Sequence, residues 1–264
     1  METNAFTPPH NSLWDRCARD WAEIQEPRMD ALYQIVLKAL SLESSTRLLD
    51  IGCASGFFCE RAGQTGAEVT GLDSSPAFLA LANQRLPTTR FFTNDMEALP
   101  FDDGSFNVIT GLNVFYYAAS PLRALREAHR VLKPGGRLAI SSWSGAERCD
   151  ASVVVRTLNT LMPPPQRSAH NPFSFSVNGT LKALTTKAGF TGSLQAEALV
   201  VWNYPDEDTA LRALLATGPA QHTIDQAGEF CVREALRSVL APFRLPQGGF
   251  RLKNFFKYHI AKKC

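Results

Sequence analysis

The chain has 264 residues, of which 45% are hydrophobic and 20% charged, and its formal net charge at pH 7 is +2. These values are ordinary for a soluble globular protein, and the length allows one sizeable α/β domain with additions or, at most, two small domains. We expect a single domain over residues 1–264. Because Lys and Arg are spread along the chain, apart from a modest C-terminal cluster, nothing indicates a nucleic-acid partner.

The termini and the cysteines show no sign of export, membrane insertion or metal binding. The segment Met1–Asn4 lacks the basic and apolar regions of a secretory signal. No apolar run is long enough to cross a bilayer. The six cysteines are scattered without a CxxC pair, which favours free thiols over a zinc site. We therefore expect a cytoplasmic protein without membrane contact or bound metal, as a monomer or homodimer.

Hydrophobic periodicity predicts a helical cap followed by alternating strands and helices. Apolar residues recur at helical spacing over 13–40, within a cap of residues 1–42. Short apolar runs predict strands at 47–52, 69–72, 90–92, 106–110 and 137–143. Ser75-Pro76 and Ser120-Pro121 are helix start signals, and Pro134-Gly135-Gly136 is expected to end the second of these helices.

Residues 43–143 therefore predict a Rossmann-like, mostly parallel sheet with helices on both faces. The remainder is less regular. Residues 144–185 and 203–248 are expected to be substrate-side additions, with 144–176 loop-rich and two amphipathic helices within 206–241. A sixth strand is expected at 194–202. Alternating apolar and polar residues in 249–264 predict a seventh, antiparallel strand at or near an edge.

The loop Asp50-Ile51-Gly52-Cys53-Ala54-Ser55-Gly56 follows the first strand. Gly52 allows a sharp turn and leaves no Cβ in the way of a ligand. A helix start after such a loop offers N–H groups to polar or anionic ligand atoms. Taken alone, the loop also fits a purely structural turn.

Two acidic positions at the next strand ends make a ligand site more specific. Asp73 ends the second strand about twenty residues after Gly52, where a carboxylate can accept from both hydroxyls of a ribose. Its alternative role is a helix cap, but Ser75 already supplies a capping hydroxyl. Asn94-Asp95-Met96 follows the third strand, where Asp95 can accept from an adenine amino group and Met96 can lie against the ring.

These segments resemble the class I S-adenosylmethionine-dependent methyltransferases, in the type 11 or UbiE-like branch. The resemblance covers roughly residues 45–143 and is carried by Leu48–Gly56, Val69–Asp73, Asp95–Phe106 with its core Ala98-Leu99-Pro100-Phe101, and Val131–Arg137. It implies S-adenosylmethionine as cofactor and S-adenosylhomocysteine as product. The residues expected to contact the cofactor are Trp14, Trp21, Asp50, Gly52, Cys53, Ala54, Gly56, Asp73, Ser74, Asn94, Asp95, Met96, Leu112, Asn113 and Tyr116.

Two positions depart from the common patterns. Ala54 stands where the G-x-G-x-x-G fingerprint of nicotinamide enzymes requires glycine, which argues against that cofactor. Many methyltransferases also have glycine at this position, so the methyl group of Ala54 is expected to narrow the loop. Asn107 replaces the aspartate that the family usually has after Phe106.

Aromatic residues are candidates for contact with the sulfonium, since a cation gains roughly 0.5–2 kcal/mol from each aromatic face. Tyr116 is favoured by its place after the fourth strand. Ordinary core packing is the alternative for each of the five candidates, which are Trp14, Trp21, Phe115, Tyr116 and Trp143.

Positioning can supply much of the catalysis of methyl transfer, so a general base is optional. His170 and His222 lie in the variable regions and are hypotheses for such a base, whereas His129 is on the core side of a helix. Pro172-Phe173-Ser174-Phe175 is expected to help line an apolar acceptor pocket under a lid.

The predicted function is methylation of a small organic molecule at oxygen, nitrogen or carbon. No Asn-Pro-Pro-Tyr or Asn-Pro-Pro-Phe motif follows the fourth strand, and no Pro-Cys dipeptide offers a cytosine-attacking thiol. The alternatives are methylation of RNA or protein, and a non-methylating enzyme that binds the same cofactor, such as a cyclase.

Overall fold

A seven-stranded sheet, with strand order β3-β2-β1-β4-β5-β7-β6, organises the protein. It is seen in a computed structural model that describes residues 10–163, 172–177 and 179–264. The strands are β1 Arg47–Ile51, β2 Glu68–Asp73, β3 Arg90–Thr93, β4 Phe106–Leu112, β5 Leu132–Trp143, β6 Phe190–Tyr204 and β7 Phe250–Lys263. Strands β1 to β5 pair in parallel, and β7 is antiparallel to both β5 and β6. The Rossmann-like sheet with one antiparallel, near-edge strand is therefore confirmed.

Ten α-helices are assigned in the described ranges. They are α1 His10–Asp20, α2 Asp30–Leu40, α3 Phe57–Gly63, α4 Pro76–Arg85, α5 Pro121–Val131, α6 Ser152–Leu161, α7 Thr180–Lys187, α8 Glu207–Leu215, α9 Gly218–Ala227 and α10 Glu229–Leu240. A π-helical turn, Trp21–Gln25, and a 3-10 turn, Glu26–Met29, join α1 to α2. Both predicted start signals are confirmed, because Ser75 and Ser120 accept the N–H groups of Phe78 and Arg123. None of the described helices is long and apolar enough to cross a membrane.

Apolar side chains on both faces of the sheet explain why the central strands are continuous hydrophobic runs. Leu48 and Val108 face one core with α2, whereas Leu49 and Ile109 face a second core with α5. All four side chains are at most 1% exposed. This pattern is typical of parallel strands covered by helices on each side.

The end of α5 differs from the prediction. The helix ends at Val131 and β5 begins at Leu132, so Pro134-Gly135-Gly136 lies within the strand rather than ending the helix. Register shifts between Phe106, which pairs with Leu132, and Val108, which pairs with Arg137. The intervening residues bulge out, and Gly135 adopts φ +76° there.

The second half of the chain is more regular than predicted. The segment 144–176, expected to be loop-rich, contains the helix α6, which buries Val154 and Leu158 in the core. Three helices rather than two fill 206–241, separated by the Thr217 cap of α9 and by Gly228. Strand β6 is longer than the predicted 194–202 because β7 pairs with it along its whole length.

Strands β6 and β7 continue together past the end of β5. Trp143, the last residue of β5, pairs with Phe256, and beyond it residues 199–204 pair with residues 250–255. We call this two-stranded extension the β6–β7 ribbon. One face of it is buried against the helical core and carries Val200, Trp202, Tyr204, Phe250, Leu252 and Asn254. The ribbon therefore rises beyond the carboxyl edge of the parallel strands.

Candidate active site

The glycine loop after β1 is held by hydrogen bonds within the protein. The N–H groups of Gly52 and Cys53 both donate to the carbonyl oxygen of Leu72, at 2.7 and 3.1 Å. Gly56 donates to the carbonyl oxygen of Cys53 at 2.9 Å. The expectation that the loop presents free N–H groups is therefore not met at these three positions. The loop is instead fixed to the end of β2.

The backbone conformation of the loop explains its glycines and its one unusual residue. Gly52 has φ +71° and Gly56 has φ +77°, both in the left-handed region. A Cβ on Gly52 would lie 2.4 Å from the Cγ2 atom of Val114, so a side chain cannot be added without displacing Val114. Ala54 has φ +45°, a conformation that costs energy for a residue with a side chain. Glycine is the favoured residue for this conformation, in agreement with the glycine that many methyltransferases have at this position.

Asp73 connects the glycine loop to the start of α4. Its two carboxylate oxygens accept from the N–H groups of Ala54 and Ser75, each at 2.9 Å. Burial raises the pKa of Asp73, and these N–H bonds oppose the rise. Each oxygen of a carboxylate has a second lone pair, so Asp73 retains acceptor capacity for a ligand. Ser74, beside it, is exposed.

The third predicted anchor lies next to Asp73. The N–H of Asn94 donates to the carbonyl oxygen of Asp73 at 3.1 Å. Asp95 is exposed, and its Oδ1 accepts from the N–H of Glu97 at 2.8 Å. Met96 is partly buried against the core that contains α5. The ends of β1, β2 and β3 thus bring the three anchors to one edge of the sheet.

Asp50 points away from the solvent. It is 3% exposed, and its Oδ1 accepts from Thr110 Oγ1 at 2.6 Å. Burial raises its pKa to about 7, whereas the hydrogen bonds from Thr110 and Cys59 oppose this rise. These contacts join β1 to β4 and α3.

The segment after β4 contributes backbone strain and an aromatic side chain. Asn113 adopts φ +59°, and Leu112 just before it is partly buried. The N–H of Asn113 donates to the carbonyl oxygen of Ser141 at 3.1 Å, and its Oδ1 accepts from the hydroxyl of Ser141 at 3.2 Å. Strained residues of this kind occur at ligand sites more often than elsewhere.

Aromatic rings from the N-terminal cap and from the β4 segment meet in one row. Trp14 contacts Trp21 at 5.3 Å and Tyr117 at 5.7 Å between ring centroids, and Tyr117 contacts Tyr116 at 4.6 Å. Phe175 continues the row, 6.2 Å from Tyr116. Two aromatic candidates of the cap, Trp14 and Trp21, are therefore brought together with Tyr116, which lies far from both in the sequence.

Tyr116 remains protonated at neutral pH. It is 7% exposed, and burial raises its pKa well above the ordinary value, with a further increase from Tyr117. The indole of Trp143 acts in the opposite direction and lowers the pKa. Tyr116 is thus a neutral aromatic group with a hydroxyl, not a base.

The two histidine hypotheses have different outcomes. His170 lies outside the described residues. His222 is on α9, which packs against α1, and its Nδ1 atom is buried without a hydrogen-bond partner in the described part of the chain. No described ring contact links His222 to Tyr116. Its role as a base stays a hypothesis.

The sequence interpretation missed two acidic residues of the N-terminal cap. Glu26 is 2% exposed and accepts a short hydrogen bond from Ser55 of the glycine loop. Burial raises the pKa of Glu26 to about 8; Ser55 and Arg85 oppose the rise, whereas Asp50 and Asp73 add to it. Asp15 of α1 accepts from Ser75 Oγ at 2.5 Å and from the N–H of Ala77 at 3.2 Å. Nothing in their local sequence marks these residues, since both contacts span the fold.

The residues at this edge of the sheet match a known protein family. The family described as "Methyltransferase domain" matches residues 49–140, which include the glycine loop, Asp73 and Asp95. The malonyl-acyl-carrier-protein O-methyltransferase of Serratia marcescens is 28% identical over 221 residues, covering 81% of this chain and 78% of that protein. The demethylmenaquinone methyltransferase of Chlorobaculum tepidum is 39% identical over 103 residues, covering 38% of this chain and 41% of that protein.

A solved structure shows the same fold over most of the chain. The (4+2)-cyclase SpnF aligns with a TM-score of 0.58 at 18% identity, covering 89% of this chain and 80% of that one. Residues 49–140 therefore form a methyltransferase domain of the class I, S-adenosylmethionine-dependent type 11 branch. The resemblance inferred from the strand-end motifs is thereby confirmed.

Proposed function

We propose that this protein transfers a methyl group from S-adenosylmethionine to a small organic acceptor and releases S-adenosylhomocysteine. The observation that carries the proposal is the convergence of three predicted anchors at one sheet edge. Asp73 is central, because its carboxylate holds Ala54 and Ser75 while its carbonyl oxygen accepts from Asn94. A ligand that spans β1, β2 and β3 meets all three.

The residues at this edge fit the cofactor. The remaining lone pairs of Asp73 suit the two ribose hydroxyls. Exposed Asp95 and half-buried Met96 suit the adenine amino group and ring. The left-handed turn at Gly52 carries the chain round the end of β1, where the methionine part would pass, and Val114 fills the space of the missing Cβ.

The aromatic row is proposed to border the reacting centre. S-adenosylmethionine supplies a methyl group made electrophilic by the sulfonium to which it is bonded. The faces of Tyr116 and Trp14 favour a cation beside them, by roughly 0.5–2 kcal/mol each. Because Tyr116 is neutral and buried, it orients its neighbours rather than removing a proton.

Two aromatic contacts support an enclosed acceptor site. Phe173 lies 5.5 Å from Trp143, and Phe175 lies 6.2 Å from Tyr116, between ring centroids. These contacts bring the segment 172–177 against the aromatic row, as a lid over a small apolar acceptor requires. The relatives are named for two different acceptors, a malonyl group on a carrier protein and a quinone. Methylation of RNA or protein, and cyclisation without methyl transfer, are the competing functions.

The cofactor role of Asp73 is tested by Asp73→Ala. Losing hydrogen bonds to a charged group should weaken S-adenosylmethionine binding by about 1.5–3 kcal/mol, measured by isothermal titration calorimetry. Asp102→Ala is the matched control, because Asp102 is an exposed aspartate in the loop before β4. Unchanged affinity in a folded Asp73→Ala protein would overturn the ribose role.

The acceptor is sought by screening metabolites while S-adenosylhomocysteine formation is measured. Turnover of a small molecule supports the proposal. Cofactor binding without S-adenosylhomocysteine production on any substrate would instead favour the non-methylating alternative, and salt-sensitive binding of RNA would favour a macromolecular acceptor. Alanine replacement of both His170 and His222 in the active protein tests the base hypothesis, which full turnover would eliminate.

A further inference from the structure

We propose that the buried face of the β6–β7 ribbon beside Trp143 binds a carbonyl oxygen of the methyl acceptor through Trp202 Nε1 and Asn254 Nδ2. This inference rests on the proposed function and names the acceptor class: an apolar molecule carrying a neutral ketone, quinone or ester oxygen. The two donors are buried and lie on the same face of the ribbon.

Both donors are buried without a partner. Trp202 is 4% exposed and Asn254 is 0% exposed, and neither Trp202 Nε1 nor Asn254 Nδ2 has a hydrogen-bond partner among the described residues. Leaving a buried donor unpaired typically costs about 1–3 kcal/mol. A ligand oxygen that accepts from both donors would therefore bind with a more favourable free energy than one placed against an apolar surface.

The orientation of the Asn254 amide is fixed by its other end. Asn254 Oδ1 accepts the N–H of Ala151, just before α6, at 3.0 Å. Exchanging the amide oxygen and nitrogen would place two donors against each other, so the unpaired group is Nδ2. The amide thus has one satisfied end and one donor that remains available.

Strand register places the two donors on the same face. Val200 pairs with Asn254 and Trp202 pairs with Leu252, so Trp202 and Asn254 are diagonal neighbours across β6 and β7. Diagonal side chains on one face come within reach of each other when they are long or aromatic. Tyr204, also on this face, shows the contrasting case, because its hydroxyl donates to Gln25 Oε1 at 2.8 Å.

A continuous set of rings joins this face to the reacting centre. Trp202 lies 5.5 Å from Trp143 between ring centroids, and the indole of Trp143 is near enough to Tyr116 to lower the pKa of its hydroxyl. The indole of Trp202 is therefore separated by one further indole from the tyrosine proposed to border the sulfonium, and Asn254 is its diagonal neighbour.

The surroundings favour a neutral oxygen over a charged one. The buried neighbours on the ribbon face and at its base are Phe250, Leu252 and Phe256, none more than 3% exposed. Burying a carboxylate among such side chains is costly unless a cation pairs with it. Two neutral N–H donors suit a carbonyl group, whose oxygen has two lone pairs.

The test compares ligands that differ only in the carbonyl oxygen. Acetophenone and ethylbenzene form one pair, and 1-indanone and indane form a second. Each is titrated by calorimetry into the full-length protein saturated with S-adenosylhomocysteine. We expect at least one ketone to bind about tenfold more tightly than its hydrocarbon, and Trp202→Phe to remove this preference while keeping an aromatic ring.

Two further variants make the outcome decisive. Asn254→Asp keeps the oxygen that accepts from Ala151 but removes the Nδ2 donor, and it should also abolish the preference. Tyr204→Phe is the matched control, since it removes a donor that already has a protein partner and should leave the preference intact. Equal affinities within both pairs, no binding of any ketone, or a preference retained in both Trp202→Phe and Asn254→Asp would overturn the inference.

S-adenosylmethionine affinity is measured for every variant. The wild type and Trp202→Phe could bind S-adenosylmethionine equally well while neither prefers the ketone. That result would contradict the oxygen subsite but not the proposed function. Loss of cofactor binding by the wild-type protein would count against the proposed function itself.

Discussion

The two halves of the molecule differ in the contacts that surround their proposed sites. Residues 43–143 carry polar contacts at the strand ends, such as Leu72 accepting from Gly52 and Asp73 accepting from Ala54. Residues 144–264 contribute a long antiparallel pair, α6–α10, and buried aromatic rings such as Trp202 and Phe256. The comparison teaches that the proposed cofactor site depends on backbone geometry and strand-end hydrogen bonds, whereas the proposed acceptor side depends on side-chain packing.

The N-terminal cap joins these halves. Asp15 and Glu26 accept hydrogen bonds from Ser75 and Ser55 on the cofactor side. Gln25 accepts from Tyr204 on the ribbon, and Arg28 donates to the carbonyl oxygen of Asn203 at 3.0 Å. Changes in the cap should therefore affect both halves, while changes within one half should leave the other largely intact.

The largest expected effect is a loss of stability in the ribbon. Leu252 is 0% exposed, so Leu252→Ala should lower the free energy of unfolding by about 2–5 kcal/mol. S-adenosylmethionine affinity of the folded protein should change little. Urea denaturation and calorimetric titration measure the two quantities.

Leu199→Ala is the control for this prediction, because Leu199 belongs to the same ribbon but is 44% exposed. It should cost much less stability than Leu252→Ala. A large drop in cofactor affinity with Leu252→Ala would show that the two halves are not independent.

The next largest expected effect comes from changing the backbone of the glycine loop. In Gly52→Ala the new Cβ would need φ +71° and would lie 2.4 Å from Val114. Strain and overpacking together should cost about 2–4 kcal/mol, expressed as weaker S-adenosylmethionine binding and lower stability. Calorimetry and urea denaturation again separate them.

Gly63→Ala supplies the matched substitution, since an added Cβ at Gly63 meets nothing within 4 Å. That variant should be neutral, or more stable by up to about 1 kcal/mol. If Gly52→Ala and Gly63→Ala had the same stability and the same affinity for S-adenosylmethionine, the assigned role of Gly52 would be contradicted.

The smallest effect is a change in pH dependence. The pKa of Glu26 is about 8 in the folded protein, above its ordinary value of 4.5. Between these pH values the folded state keeps a proton that the unfolded state has lost, so stability falls as pH rises. Glu26→Gln should flatten this decline by up to about 1.4 kcal/mol per pH unit.

Urea denaturation at pH 5.5, 6.5 and 7.5 measures this slope. Asp50, with a pKa of about 7, adds a similar decline that both proteins retain. Glu23→Gln, an exposed change in the same cap, should leave the wild-type slope unchanged. Parallel curves for the wild type and Glu26→Gln would show that Glu26 does not titrate as its buried position requires.

Much of the structure of residues 43–143 was predictable, because the sequence signals for its strands and helix starts are local. Short apolar runs marked β1 to β5, Ser75 and Ser120 marked helix starts, and Asp73 and Asp95 followed strand ends. The end of α5 was not predictable in this way. Pro134 and Gly135 are compatible with a helix end, and only pairing of Leu132 with Phe106 shows that the strand has already begun.

The second half was less predictable because its elements are defined by partners distant in the sequence. Helix α6 was not predicted, because the proline residues after Met162 are typical of a loop. Its helical form buries Val154 and Leu158. The length of β6 follows from β7, about fifty residues further along the chain. Trp202 and Asn254 have no motif of their own, and strand register alone places them together.

The sequence by itself determined the family, the parallel sheet and the three strand-end anchors, because turn glycines, capping serines and strand-end carboxylates act on their immediate neighbours. Only the tertiary structure decided that Glu26 meets Ser55, that Trp14 joins Tyr117, and that two unpaired donors face the same side of the ribbon. Those contacts depend on chain segments that folding brings together, which no local pattern encodes.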